Sequence, residues 1–78
     1  MLQIDAPPPT AFGTAVYDTD GHLCGAAIFR ADGQLDRAAT LEAGGRYWLT
    51  TSGCLIDLAA KPPAVIADVV EYEIRRAA

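Results

Sequence analysis

Short runs of strand-forming residues alternate with turn dipeptides along most of this chain. The turn dipeptides are Asp20-Gly21, Asp32-Gly33, Gly44-Gly45 and Ser52-Gly53, all suited to hairpin connections. The runs between and after them are Thr14–Thr19, His22–Ala31, Gln34–Ala43, Arg46–Thr51, Cys54–Ala60 and Val65–Arg76. This pattern predicts an all-β chain, either a small antiparallel β-sandwich or a partly open barrel of about six strands.

Two of these runs need separate comment. The run His22–Ala31 is apolar on both of its faces, which favours a central strand or one that is covered on both sides. The run from Leu35 to Ala43 would also suit a short helix that ends at Gly44. The strand signals on either side, and the spacing from Leu41 to Tyr47, lead us to prefer a strand there.

Proline residues occur in two groups, one near the N-terminus and one before the last predicted strand. Residues 1–11 contain Pro7-Pro8-Pro9, which favours an extended arm, either mobile or lying on a neighbouring subunit with Leu2 and Ile4 as its anchors. Residues 12–78 form one β domain. Pro62-Pro63 predicts a connection, because proline cannot donate to a strand ladder. The last run alternates: Val70, Tyr72 and Ile74 share one face, and Val69, Glu71, Glu73 and Arg75 share the other.

Composition bounds the stability and the partners of this domain. The 78 residues are 51% apolar but rich in alanine, with two Phe, one Trp and three Tyr, so the core is small and association would add stability. The net charge of −4 and the scattered cations argue against nucleic acid and anionic membranes as partners. The N-terminal residues do not resemble a signal peptide, and no run is long enough to span a membrane. We therefore expect synthesis in the cytoplasm.

The residues that usually carry chemistry are few and lie at turns. His22 and Ser52 each stand beside a glycine turn, and no metal-ligand or nucleophile spacing connects them. Asp18, Asp20 and Asp32 suit turns better than a calcium loop. Cys24 and Cys54 are either free or bonded to each other, and free thiols fit a cytoplasmic product better. We expect neither enzymatic activity nor a cofactor.

A short motif resembles the tyrosine corner of Ig-like and fibronectin-type sandwiches. The motif is Leu41, Gly44 and Tyr47 within the sequence Leu-Glu-Ala-Gly-Gly-Arg-Tyr. In those sandwiches, the tyrosine hydroxyl bonds to upstream backbone where the chain passes from one sheet to the other. The resemblance implies that the strands on either side of Gly44 belong to different sheets.

A longer stretch, from about Gly33 to Ile74, is similar to small β domains of bacteriophage virion proteins. It contains Thr40-Leu41, Ala43-Gly44, Tyr47-Trp48-Leu49, then Gly53 and Pro62-Pro63. Domains of this kind occur in head decoration, head fibre and tail fibre proteins. The segment Ala67–Glu71 departs from the Val-Gly segment common in those domains. The resemblance implies a structural role at a virion or particle surface, with no catalytic residue to transfer.

The sequence therefore favours a non-enzymatic structural subunit of a phage-like particle. Its expected partner is a larger capsid or tail protein, and it is expected to form a homotrimer or a ring. The expected anchors are Phe12, Tyr17, Phe29 and Trp48, since aromatic residues dominate interface energies. One alternative is an Ig-like or carboxypeptidase-regulatory-like module that binds carbohydrate or peptide, with Tyr47 or Trp48 stacking beside Thr50 and Asp57. Another is a small cytoplasmic adaptor or inhibitor.

Overall fold

The described residues form two sheets and one short helix. The computed structural model describes residues 2–68 and 73–75. The elements within them are β1 (Gln3–Asp5), β2 (Ala15–Tyr17), β3 (Leu23–Ala26), α1 (Arg37–Glu42), β4 (Tyr47–Leu49), β5 (Cys54–Asp57), β6 (Ala64–Asp68) and β7 (Glu73–Arg75). The all-β prediction is confirmed, and in the part described no helix is long and apolar enough to cross a membrane.

The main sheet is antiparallel, with the strand order β3-β2-β4-β5-β6. Val16 on β2 lies opposite Trp48 on β4, which in turn lies opposite Ile56 on β5. Ile56 lies opposite Val65 on β6. These four residues share one face of the sheet, because directly opposed residues in an antiparallel pair point the same way. The predicted connection at Pro62-Pro63 is confirmed, since it lies between β5 and β6.

The core lies on the other face of this sheet. Its members are Ala15, Tyr17, Tyr47, Leu49 and Leu55, and they contact Ile4 from β1. Strand β1 pairs in parallel with β7, so the two ends of the chain form a second, two-stranded sheet. We call this side, with its five sheet residues, the covered face. Ile4 and Tyr17, proposed above as interface anchors, are 0% exposed and therefore belong to the chain's own core.

Three of the four predicted glycine turns are confirmed, and all three have one geometry. At Gly21, Gly33 and Gly53, the glycine N–H donates to the carbonyl three residues earlier, and φ lies between 85° and 88°. The residue after each glycine accepts a hydrogen bond from the first residue of the turn. This is a type I turn followed by a left-handed glycine. A three-residue connection of this kind replaces the two-residue loop that the dipeptides suggested.

The fourth dipeptide, Gly44-Gly45, ends a helix instead of forming a hairpin. The Gly44 N–H donates to the Leu41 carbonyl and the Gly45 N–H donates to the Thr40 carbonyl, both at 3.0 Å. With φ of 98° at Gly44, these bonds form a Schellman motif. At the other end of the helix, Asp36 accepts from the Ala39 N–H at 3.1 Å, as an N-cap residue does. The preferred strand over Leu35–Ala43 is therefore wrong.

Strand β3 also differs from its prediction. It is four residues long and lies at one end of the main sheet, and its residues are exposed. Apart from Leu23, the residues of β3 have small side chains or none, so they gain little from burial. The central, doubly covered strand predicted over His22–Ala31 is wrong. Of the predicted last strand, Val65–Arg76, residues 69–72 and 76 lie outside the described part of the chain.

Candidate interaction surface

The face of the main sheet opposite the core is only partly covered. The glycine turn that ends helix α1 covers its β2 end, where Val16 is 2% exposed and a Cβ on Gly45 would lie 2.3 Å from the Val16 Cγ1 atom. At the β6 end, by contrast, Val65 is 56% exposed. Trp48 and Ile56 between them are half-buried. The face therefore grades from a packed end to an open end.

Trp48 is fixed in place by contacts at two edges of its ring. Its indole Nε1–H donates to the Gly13 carbonyl at 3.0 Å, which satisfies the one polar group of the side chain. Phe29 meets the ring edge-to-face, with centroids 6.1 Å apart and planes at 74°. Such a pair is a favoured aromatic geometry. Trp48 is therefore a rigid platform, and Phe29 extends it to the surface.

Phe29 is held at the surface by a folded loop. It forms a bridge with Leu35 across the Gly33 turn, and Ile28 beside it bonds in two directions. The Ile28 N–H donates to the Thr40 hydroxyl at 3.3 Å, and the Ile28 carbonyl accepts from the Asp36 N–H at 2.7 Å. Thr40 is 1% exposed. The loop is thus bound to the helix, and Ile28 and Phe29 stay 39% and 43% exposed.

Together these side chains make one continuous apolar feature, which we call the open stripe: Phe29, Trp48, Ile56 and Val65. Phe29 contacts Trp48, and the other three are opposed in register across β4, β5 and β6. Neighbouring strands are about 4.8 Å apart, so the sheet part alone is about 10 Å wide. Single exposed apolar residues are ordinary, whereas a contiguous group indicates a binding surface.

The cations near the helix are engaged within the chain. Arg37 donates from Nε to the Leu58 carbonyl and from Nη2 to the Ala60 carbonyl. Arg46 lies 3.4 Å from Asp57 and stacks over the Tyr47 ring at 5.2 Å. The hydrogen bond to Asp57 raises the pKa of Arg46 above its usual value. These arginines attach helix and strand ends to the sheet, as structural groups.

The residues of the tyrosine-corner motif do not connect two sheets. Leu41 lies in α1, Gly44 ends that helix, and Tyr47 begins β4. Tyr47 is 8% exposed and belongs to the core of the covered face. The corner needs strands of different sheets before and after the glycine, so this structure does not form one there.

The polar turn residues cap backbone groups. Asp18 accepts from the N–H groups of Asp20 and His22, at 2.9 and 3.0 Å, and Asp32 accepts from Gln34 at 2.9 Å. These are the turn roles that the sequence predicted for aspartate. Within residues 2–68 and 73–75, no three His, Cys, Asp or Glu side chains form a group that could hold a metal ion.

Both cysteines are free thiols. The Cys24 Sγ donates to the Val16 carbonyl at 3.4 Å. Burial raises the pKa of the Cys24 thiol, and the nearby Asp18 carboxylate adds to that rise. A raised pKa lowers the thiolate fraction at neutral pH, so Cys24 is less nucleophilic than an ordinary thiol.

An apolar hollow lies where the proline segment meets the edge strand β3. It has a volume of about 250 Å³ and is lined by Pro8, Ala11, Thr14, Ala15, Leu23, Gly25 and Ala26. Ligand sites usually enclose about 300–1,000 Å³ and carry a few convergent polar groups. This hollow is smaller, and its lining is formed by small side chains. The open stripe is therefore the stronger candidate surface.

The sequence identified part of this surface. Phe29 and Trp48 were predicted as anchors and lie on the open stripe, and Phe12 is 41% exposed in the loop before Gly13. Leu2 is partly buried against the core. Sequence reasoning missed Ile56 and Val65. Their signal was available, because both are large apolar residues of the strands that flank the proline connection.

The comparisons add no relative: no family model, curated protein or solved structure matches this chain.

Proposed function

We propose that this domain is a non-enzymatic structural subunit that binds a larger protein of a phage-like particle through the open stripe. The observation that carries the proposal is the contrast within one sheet. One face is packed around Leu49 and Leu55, each 0% exposed, while the other leaves Phe29 43% and Val65 56% exposed. The similarity of the Gly33–Ile74 stretch to virion β domains supplies the class of partner.

The size of the stripe bears on the size of the partner. A standard stable interface buries about 800 Å² on each side, which is about one sixth of the 4784 Å² that this chain exposes. Four side chains on three strands and a loop reach that area only with their surroundings. The stripe is the desolvated centre of such a contact, and the residues around it, Ile28 among them, form its edge.

The rigidity of the stripe suits a permanent attachment. The Trp48 ring is fixed by Gly13 and Phe29, and the Phe29 loop is bound to Thr40 of the helix. A surface that is already ordered loses little side-chain entropy on binding. Aromatic anchors in an ordered setting are the usual energetic centres of interfaces.

The carbohydrate-binding alternative has less structural support. Stacking on a sugar beside Thr50 and Asp57 needs the aromatic ring and the polar groups on one surface. Tyr47 lies opposite Asp57 on the covered face, but it is only 8% exposed and its ring is not available for stacking. Trp48 lies on the opposite face, away from Asp57. The Thr50 hydroxyl contacts the Ser52 hydroxyl and accepts from the Cys54 N–H. No second function is proposed.

The test is whether the chain is a stoichiometric part of purified particles. Particles from the producing strain are isolated by density gradient, and the chain is quantified by mass spectrometry against the major structural protein. We expect a fixed ratio that persists through a second gradient. A chain that is abundant in the lysate yet absent from the particles would contradict the proposal.

A further inference from the structure

Strand β1 is joined to the rest of the fold by a compact set of contacts. It pairs with β7 over three residues, and Ile4 is its buried side chain. The Asp5 N–H donates to the Gly21 carbonyl at 2.8 Å, and the Asp5 carboxylate accepts from the Leu23 N–H at 2.8 Å. Its partners belong to the hairpin turn, the core and β7. These contacts are made by a short terminal strand and not by the strands of the main sheet among themselves.

The segment after β1 has the properties of a hinge. It runs Ala6-Pro7-Pro8-Pro9, and Pro8 and Pro9 are exposed. Three prolines supply no N–H donor and favour an extended chain of about 3.1 Å per residue. The chain then turns at once, since the Ala11 N–H donates to the Pro8 carbonyl at 3.0 Å. A stiff extended segment beside a turn is able to direct β1 in two ways. It folds β1 back onto its own chain, as here, or it carries β1 outward to a second copy.

We propose that β1 exchanges between two copies of this chain, so that the Ile4 of each copy fills the core of the other. The structure shows which strand fits beside β7, because β1 already pairs there in a fixed register. An identical strand from a second copy makes the same contacts, and only the hinge conformation changes. Exchange of an identical element is a low-cost route to a dimer.

Opening of β1 requires less than unfolding of the whole domain. A two-stranded sheet is only marginally stable, and the main sheet does not include β1 or β7. Terminal elements of this kind open locally at a lower free energy than the core. The exchange therefore proceeds from the folded protein. It also proceeds independently of the open stripe, which lies on the opposite face.

The test uses a disulfide that reports which β1 lies beside which β7. Gln3 and Glu73 are opposed in register, so the full chain carries Gln3→Cys and Glu73→Cys, with Cys24→Ser and Cys54→Ser. After incubation at a series of concentrations and mild oxidation, non-reducing electrophoresis separates monomer from covalent dimer. We expect the ratio of dimer to monomer to rise roughly tenfold for a tenfold rise in concentration while dimer is the minor species.

A matched control uses a strand pair that cannot exchange by this hinge. Cys54 and Asp68 are opposed in register on β5 and β6, so Asp68→Cys with Cys24→Ser and Cys54 retained should give intramolecular disulfide at every concentration. If the Gln3–Glu73 pair behaves in the same way, the exchange proposal is overturned. Replacing Pro7, Pro8 and Pro9 by glycine should shift the Gln3–Glu73 pair toward monomer, and an unchanged ratio would contradict the role of the hinge.

A second measurement needs no introduced cysteine. Unlabelled and ¹⁵N-labelled full chains are mixed at high concentration and analysed by native mass spectrometry. We expect mixed dimers for the natural sequence and their loss for Ile4→Ser, which removes the buried apolar side chain of β1. Mixed dimers that survive Ile4→Ser unchanged would show that the copies associate without β1 and would overturn the proposal.

Discussion

The two faces of the main sheet are built from the same strands and have different consequences. Leu49 and Leu55 point to the covered face and are 0% exposed, while Trp48 and Ile56, their neighbours in sequence, point to the open face and are half-buried. Because side chains alternate along a strand, each strand contributes to both faces. We infer that the covered face stabilises the fold, and that the open face is free to bind a partner.

Truncating one residue on each face should give the largest difference in stability between the two faces. Leu49→Ala removes a fully buried side chain and should cost about 2–5 kcal/mol of unfolding free energy. Ile56→Ala on the open face is the matched variant and should cost less than half as much. Urea unfolding of both proteins measures the difference. Equal losses would mean that the open face is as much a core as the covered face.

The packed end of the open face can be probed through Gly45. A Cβ there would lie 2.3 Å from Val16 Cγ1 and 3.0 Å from Thr40 Cγ2, so Gly45→Ala should lower stability by about 1–3 kcal/mol through overpacking. Gly33→Ala is the control, because a Cβ at Gly33 meets no atom within 4 Å. Its cost should be only the left-handed backbone penalty, about 1 kcal/mol. A stable Gly45→Ala protein would contradict tight packing of α1.

One of the two hydrogen bonds between the helix and the Phe29 loop is accepted by the buried Thr40 hydroxyl. Thr40→Val keeps the shape of the side chain but leaves the Ile28 N–H without its acceptor. We expect a loss of about 1–2 kcal/mol and faster hydrogen exchange at Ile28. Thr51→Val, at an exposed turn position, should change neither quantity. Unchanged exchange at Ile28 in Thr40→Val would show that the bond from the Asp36 N–H to the Ile28 carbonyl holds the loop without the hydroxyl.

The smallest stability effect is expected at the open end of the stripe. Phe29→Ser with Val65→Ser removes two exposed apolar side chains and the edge-to-face contact with Trp48, so we expect a loss of only about 1 kcal/mol of unfolding free energy. A large loss of stability would place these residues in the core. Thermal unfolding followed by circular dichroism decides between the two results.

Local patterns predicted the turns well and the burial poorly. The three aspartate- or serine-glycine turns were recognisable because a left-handed glycine has a local cause. Gly44-Gly45 carries the same dipeptide signal, and its meaning depended on α1, whose N-cap residue Asp36 the sequence argument did not consider. Short helices depend on tertiary contacts, here Arg37 to the Leu58 carbonyl and Thr40 to Ile28.

Long-range pairing was beyond the sequence argument. Ile4 was assigned to an arm because prolines follow it, yet its position depends on β7, about seventy residues further along the chain. No local pattern encodes that distance. The anchors Phe29 and Trp48 were identified by residue type, whereas their contact and the register that adds Ile56 and Val65 required the fold.

The central claim is that the open face binds and the covered face stabilises. Its most direct test is the incorporation of the Phe29→Ser, Val65→Ser chain into particles, measured by mass spectrometry relative to the natural chain at equal expression. The account predicts at least about a tenfold loss, equivalent to about 1.4 kcal/mol, with the variant chain still folded at the temperature of assembly. Incorporation equal to that of the natural chain would contradict the claim that the open stripe is the binding surface.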